Sequence, residues 1–118
     1  MPNEWDRIKA AVLHAVYEAH ADVVITTGGT GLSSTDLTVE VVENLITKKM
    51  PGFGELFRFL SYQQIGAAAM LSRATAGLVD TTLVFALPGS AQAAQVALDK
   101  LILPELKHAV KQAKKMAR

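Results

Sequence analysis

A chain of 118 residues, half of them hydrophobic, has the size of one domain and the apolar surface to fold, and its lack of cysteine excludes a disulfide framework and thiolate metal sites. A formal net charge of +1 gives it no overall attraction to nucleic acid or to a membrane surface. No apolar run nears the ~20 residues of a bilayer span and no signal-peptide layout opens the chain, so a cytoplasmic protein is expected.

From Asn3 to about His20, Ile8, Val12, Ala15, Val16 and Ala19 recur at three- and four-residue steps, which predicts a helix capped by Asn3. Ala21 to Thr27 is a short β-branched run ending in Gly28-Gly29, read as a buried parallel strand because helices flank it on both sides. A second helix should start near Thr38 as N-cap, carry Glu40 in its first turn, turn Val41, Val42, Leu45 and Ile46 inward, and stop before Met50-Pro51-Gly52. Beyond it the glycines break every period. The reading there is a short helix at 54–60, a helical turn at 62–67, and extended chain at about Met70 to Ser72 and again at Ala76 to Val79. Leu83 to Leu87 reads as a buried strand, ended by Pro88-Gly89-Ser90, with Ser90 capping a helix at 91–103. Pro104 then opens a last helix, whose Lys107, Lys111, Lys114, Lys115 and Arg118 form a solvated basic end. Strands alternating with helices make the fold α/β.

The chemistry concentrates in VVITTGGTGLSSTD, residues 23–36. Gly28, Gly29 and Gly31 let a backbone turn and let a ligand approach closely, while Thr26, Thr27, Thr30, Ser33 and Ser34 add hydroxyls, so the loop suits an oxyanion. The same residues also describe a plain strand-to-helix turn. The pattern is neither a P-loop nor a dinucleotide fingerprint. Asp36 either caps the next helix or, at the rim of an anion loop, requires Mg²⁺ between itself and phosphate. Glu55 and Arg58 have the spacing of a surface ion pair. Ser72-Arg73 offers a hydroxyl and a guanidinium fork to an anionic ligand, or an arginine that pairs an acid elsewhere. Gly28-Gly29 and Pro88-Gly89-Ser90 both follow strands, at the sheet edge where ligands gather in open α/β folds. Trp5, Phe53, Phe57, Phe59 and Tyr62 read as packing residues, with a wall against a flat ring as the alternative for the cluster from Phe53 to Tyr62, and His14, His20 and His108 lack metal-ligand spacing.

In order and spacing, TTGGTG followed by Asp36-Leu-Thr, then MPGFGELFR, SYQQIG, MLSRATAG and ALPGS resemble the molybdenum-cofactor biosynthesis family of molybdopterin-binding and molybdopterin adenylyltransferase proteins, from about Pro2 to Lys111. The resemblance implies one three-layer α/β/α domain over residues 1–118 with a mostly parallel sheet, assembled as a homotrimer or homohexamer. In active members ATP and Mg²⁺ adenylylate the dithiolene pterin. Carried over, Gly28, Gly29, Thr30 and Gly31 would hold phosphates, and Asp36 would place Mg²⁺ and the triphosphate. Ser72 and Thr27 would bound the pterin, and Pro88, Gly89 and Ser90 the nucleotide.

Two departures accompany the match. The family's strand-helix-strand before the equivalent of Asn3 has no counterpart ahead of Met1, so sheet edges and apolar helix faces are expected to need cover from another subunit. Active relatives read Pro-Asp-Glu where this chain has Pro2-Asn3-Glu4, and an amide in place of that essential acid brings no negative charge to Mg²⁺. Two readings follow: an adenylyltransferase with Asp36 and Asn3 at its catalytic centre, or a non-catalytic pterin- and nucleotide-binding or oligomerising paralogue or fragment.

Overall fold

The structure, a computed structural model, describes residues 3–115; Pro2 and Arg118 of the expectations above lie outside them. The first helix, α1 (Glu4–Leu13), continues through a wide π turn, His14–Glu18. Asn3 caps it as expected, its side-chain oxygen accepting the Asp6 N–H at 2.9 Å, and Glu4 and Asp6 in the first turn suit the positive end of the dipole. His20, with φ of 55°, ends the helical path, and β1 (Val23–Thr27) starts two residues later than the β-branched run suggests.

α2 (Thr38–Leu45) corrects one expectation. Thr38 is its first helical residue, not its cap; the cap is Leu37, which offers no side-chain bond. The preceding loop substitutes for it, since the Val39 N–H reaches the Gly29 carbonyl at 3.4 Å. A two-residue strand, β2 (Lys48–Lys49), follows and was not predicted, because exposed lysines carry no strand signal.

The 51–80 region departs furthest from the expectation. α3 (Pro51–Ile65) is one continuous 15-residue helix opened by proline, and Gly66–Leu71 continues as 3₁₀ turns; the chain is thus helical at 62–67 as expected, but Met70 and Leu71 are not the extended chain expected there, and only Ser72 is. Glycine inside α3 has a steric reason. A Cβ at Gly54 would lie 2.9 Å from the Ala74 carbonyl oxygen and 2.7 Å from Arg58 Nη2, so the missing side chain lets the helix cross close to the sheet.

β3 (Thr75–Val79) and β4 (Thr82–Leu87) form a hairpin around Asp80-Thr81, with Asp80 at φ of 57°. α4 (Ala91–Ala97), capped by Ser90 through the Ala93 N–H at 3.3 Å, runs through a π turn at Leu98–Ile102 into α5 (Leu103–Lys115) without the expected break. The π turn widens the helix just before Pro104, which has no N–H to donate. At the basic end, Lys114 pairs with Asp22 at 2.9 Å on the surface.

The sheet order is β1-β4-β3-β2. β1 pairs β4 in parallel, from Val23 opposite Leu83 to Thr27 opposite Leu87; β3 pairs both β4 and β2 antiparallel. Three strands therefore run one way and β3 alone runs against them, so the mostly parallel sheet is mixed. Alternation along β4 builds the three layers. Val84 and Ala86 meet Val12 and Val16 of α1 and Val42 of α2 on one face. Leu83, Phe85 and Leu87 meet Phe53 and Phe57 of α3, Ala97 and Ile102, and Ala113 of α5 on the other. Every β4 residue is buried, whereas Ile25 on the edge strand β1 is 41% exposed. Among the described residues no helix is long and apolar enough to cross a membrane.

Candidate functional site at the carboxyl edge of the sheet

Because β1 and β4 are parallel and end in register, both following loops leave from one edge. The Gly28 N–H donates to the Leu87 carbonyl at 2.7 Å, and a Cβ on Gly89 would sit 3.5 Å from the Gly28 Cα. Gly28-Gly29 and Pro88-Gly89 are thus in contact, through a register that no local motif encodes.

The glycine loop has an ordered hydrogen-bond pattern. Gly28 and Gly29 have φ of 89° and 72°, and Thr30 is buried. The carbonyls of three successive residues are occupied: Gly29 by the Val39 N–H, Thr30 by the Arg73 N–H at 2.9 Å, and Gly31 by Arg73 Nε at 2.8 Å. The N–H groups of Gly29, Thr30 and Gly31 donate to no group among the described residues. A run of backbone with its carbonyls fastened and its N–H groups free is a cradle for an anion.

Asp36 closes the loop. One carboxylate oxygen accepts the Ser33 N–H at 3.1 Å and lies 2.7 Å from where a Gly31 Cβ would be. Ser33 and Thr35 bond to each other at 2.8 Å, so the Ser33 hydroxyl is used inside the loop. Thr26 and Thr27 alternate in direction along β1 and cannot both face a ligand. Thr26, level with Ala86, turns toward α1 and α2, and its hydroxyl is buried without a partner among the described residues; Thr27 is exposed.

Arg73, one of two roles left open by the sequence, pairs an acid: Nη1 meets Glu40 at 2.8 Å, while Nη2 donates to the Asp36 carbonyl at 2.9 Å. Arg58 does not form the expected pair with Glu55 among the described residues. Its Nη1 donates to the carbonyl of Ala74 at 3.1 Å and, more weakly, of Ser72 at 3.5 Å. Ser72 stands between two cavities. One, of about 170 Å³, brings it together with Pro88, Ser90, Phe57 and Ser61; the other, of about 410 Å³, is lined by Arg58, Arg73, Lys49, Glu43 and Glu55. Neither is lined by Thr27 or by the loop glycines. Asn3 spends its side-chain oxygen on the Asp6 N–H, and no hydrogen bond joins it to Asp36 among the described residues.

Residues 1–108 match the family described as a probable molybdopterin binding domain. The chain belongs to that family. It is similar to molybdenum cofactor biosynthesis protein B of Bacillus subtilis, 46% identical over 114 residues that cover 96% of this chain and 67% of the relative. The protein of the same name from Staphylococcus epidermidis is 59% identical over 90 residues, 75% of this chain and 51% of its own. This molybdopterin-binding-family chain therefore spans between half and two thirds of the curated relatives' length. Among solved structures, one of molybdenum cofactor biosynthesis protein B superposes with a TM-score of 0.90 at 45% identity, covering 95% of this chain and 70% of the other. The tungsten cofactor synthesizing protein MoaB from Pyrococcus furiosus does so with a TM-score of 0.78 at 44% identity, covering 89% and 69%.

Proposed function

We propose that this domain serves molybdenum cofactor biosynthesis by binding ATP·Mg²⁺ and molybdopterin at the carboxyl edge of the sheet, as a molybdopterin adenylyltransferase-like protein acting in the cytoplasm. The observation that carries the reading is the glycine loop, whose carbonyls are fastened while its N–H groups are free. The larger cavity beside Ser72 falls within the volume range of small-molecule sites. Asp36 fits a Mg²⁺ that arrives with the nucleotide: one carboxylate plus phosphate oxygens and water is a usual Mg²⁺ set, and only one Asp36 oxygen is engaged. The ion would neutralise phosphate charge. Nucleotidyl transfer needs chiefly such neutralisation and positioning, which the loop amides and the Pro88-Gly89-Ser90 turn supply here.

Asn3 favours the second reading, a domain that binds without turning over. Its amide is neutral and its oxygen already caps α1. Calorimetric titration separates the possibilities: heat with ATP·Mg²⁺ and with molybdopterin is expected, with the nucleotide affinity weakened about tenfold or more by Asp36→Ala. No heat with either ligand would sink the pocket. Adenylyl transfer assayed beside Asn3→Asp then divides catalyst from binder, since gain of turnover in the variant identifies a lost acid.

The same reading includes self-association as a trimer or hexamer. Leu56, Phe59, Tyr62 and Ile65 form an outer face of α3 that is more than half exposed, continued by Met70 and Leu71. Apolar area of this kind on a surface marks contact with another protein. Phe59→Glu is expected to shift sedimentation from assembly to monomer without loss of helix signal; a wild-type monomer at high concentration would dismiss the assembly.

A further inference from the structure

We propose that Arg73 is the positioning residue of the glycine loop, a guanidinium strap that takes up the loop's carbonyl oxygens and so directs its N–H groups at the anion. This rests on the reading that the loop receives phosphate. All three guanidinium nitrogens are engaged by the protein. Nε holds the Gly31 carbonyl at 2.8 Å, Nη2 holds the Asp36 carbonyl at 2.9 Å, and Nη1 meets Glu40 at 2.8 Å. The backbone N–H of Arg73 adds the Thr30 carbonyl at 2.9 Å.

Peptide geometry turns these bonds into a direction. In a trans peptide the carbonyl of one residue and the N–H of the next point opposite ways. Fastening the carbonyls of Gly29, Thr30 and Gly31 therefore sends the N–H groups of Thr30, Gly31 and Leu32 to the other side. Without the guanidinium, the Gly31 carbonyl loses its donor and is free to rotate toward the ligand, where its negative end would repel phosphate, while Gly29 and Thr30 keep their backbone bonds. By holding Gly31 and Asp36 at once, the same fork also fixes where the Asp36 carboxylate stands relative to the amides. The strap is itself anchored, because Arg58 from α3 grips the carbonyls on either side of Arg73, at Ser72 and Ala74. A lysine cannot reproduce this: an ammonium is a point donor, whereas the planar fork spans two carbonyls in fixed relation.

The test compares the full chain with Arg73→Gln, Arg73→Lys and Glu40→Gln by hydrogen exchange without ligand and by ATP·Mg²⁺ affinity. The amides to follow are those of Ser33, Asp36 and Val39, which donate to loop acceptors, with β4 amides as the control for folding. Arg73→Gln should speed exchange at the loop amides about tenfold or more while β4 exchange stays unchanged, and weaken ATP·Mg²⁺ about tenfold. Arg73→Lys should resemble Arg73→Gln, since the fork and not the charge is what acts. Glu40→Gln should leave the loop exchange nearly unaltered. Unchanged loop exchange in Arg73→Gln, or restoration by lysine, would overturn the strap. If the wild-type chain takes up no ATP·Mg²⁺, the phosphate reading fails while the exchange comparison still decides whether Arg73 sets the loop.

Discussion

Alanine at Gly29 is expected to destabilise the domain by about 2–5 kcal/mol, the sum of a left-handed backbone forced on a residue with a Cβ and a methyl group placed inside a neighbouring helix. Gly29 has φ of 72°, and its added Cβ would meet the Thr38 side chain at Oγ1 and, 2.8 Å away, at Cβ. Thr38 is the first residue of α2 and cannot withdraw without moving the helix start, which the Gly29 carbonyl itself helps to cap through Val39. Gly28 is the internal control. Its φ of 89° imposes a similar conformational cost, but a Cβ there meets nothing within 4 Å, so Gly28→Ala should lose only about 1–2 kcal/mol. Thermal denaturation reads the difference at roughly 4 °C for each kcal/mol in a domain of this size. Gly29→Ala should also release the Gly29 carbonyl and weaken anion binding, with Gly28→Ala milder on both counts. Equal losses at the two glycines would show that Thr38 does not press on Gly29.

The parts of this fold that local chemistry announces were legible in the sequence. Asn3 and Ser90 are caps because each is a short polar residue ahead of an apolar period, and β4 is a strand because nothing polar interrupts it. α3 was unreadable for a physical reason. Its inner face is Phe53, Gly54, Phe57 and Ser61, two of them not hydrophobic, while its outer face is Leu56, Phe59, Tyr62 and Ile65, so no amphipathic period survives. β2 has no identity apart from its pairing with β3. The candidate site divides the same way. Gly28 to Gly31 and Asp36 could be picked out as a set, since unusual residues crowd together there. That this loop and Pro88-Gly89-Ser90 share a sheet edge was legible too, since each follows a strand; the direct contact between Gly28 and Gly89 was not, because it depends on the parallel register of strands some sixty residues apart. Nor was it visible that Arg58, three residues from Glu55, bonds to strand-end carbonyls, or that both alternatives for Arg73 were narrower than its role.

Phe57→Ala is expected to cost about 3–5 kcal/mol, as truncations of fully buried aromatic residues do. Phe57 is 1% exposed, stacks on Phe53 with centroids 6.2 Å apart, and Phe53 in turn meets Phe85 of the central strand edge-on at 5.2 Å. The aromatic row therefore couples α3 to the middle of the sheet. Phe57 also lines the cavity that gathers Ser72, Pro88 and Ser90, so its loss should widen that cavity as well as loosen the core. Phe59, two residues along and 58% exposed, gives the comparison. As a monomer, Phe59→Ala should change stability by no more than about 0.5 kcal/mol. If the outer face of α3 joins another copy, the Phe59 variant should lose more at high protein concentration, since assembly stabilises by mass action, whereas the Phe57 loss should not vary with concentration. Denaturation at two concentrations thus assigns each phenylalanine to its face. A Phe59 loss as large as that of Phe57 in dilute solution would mean that α3 meets the sheet by a different side.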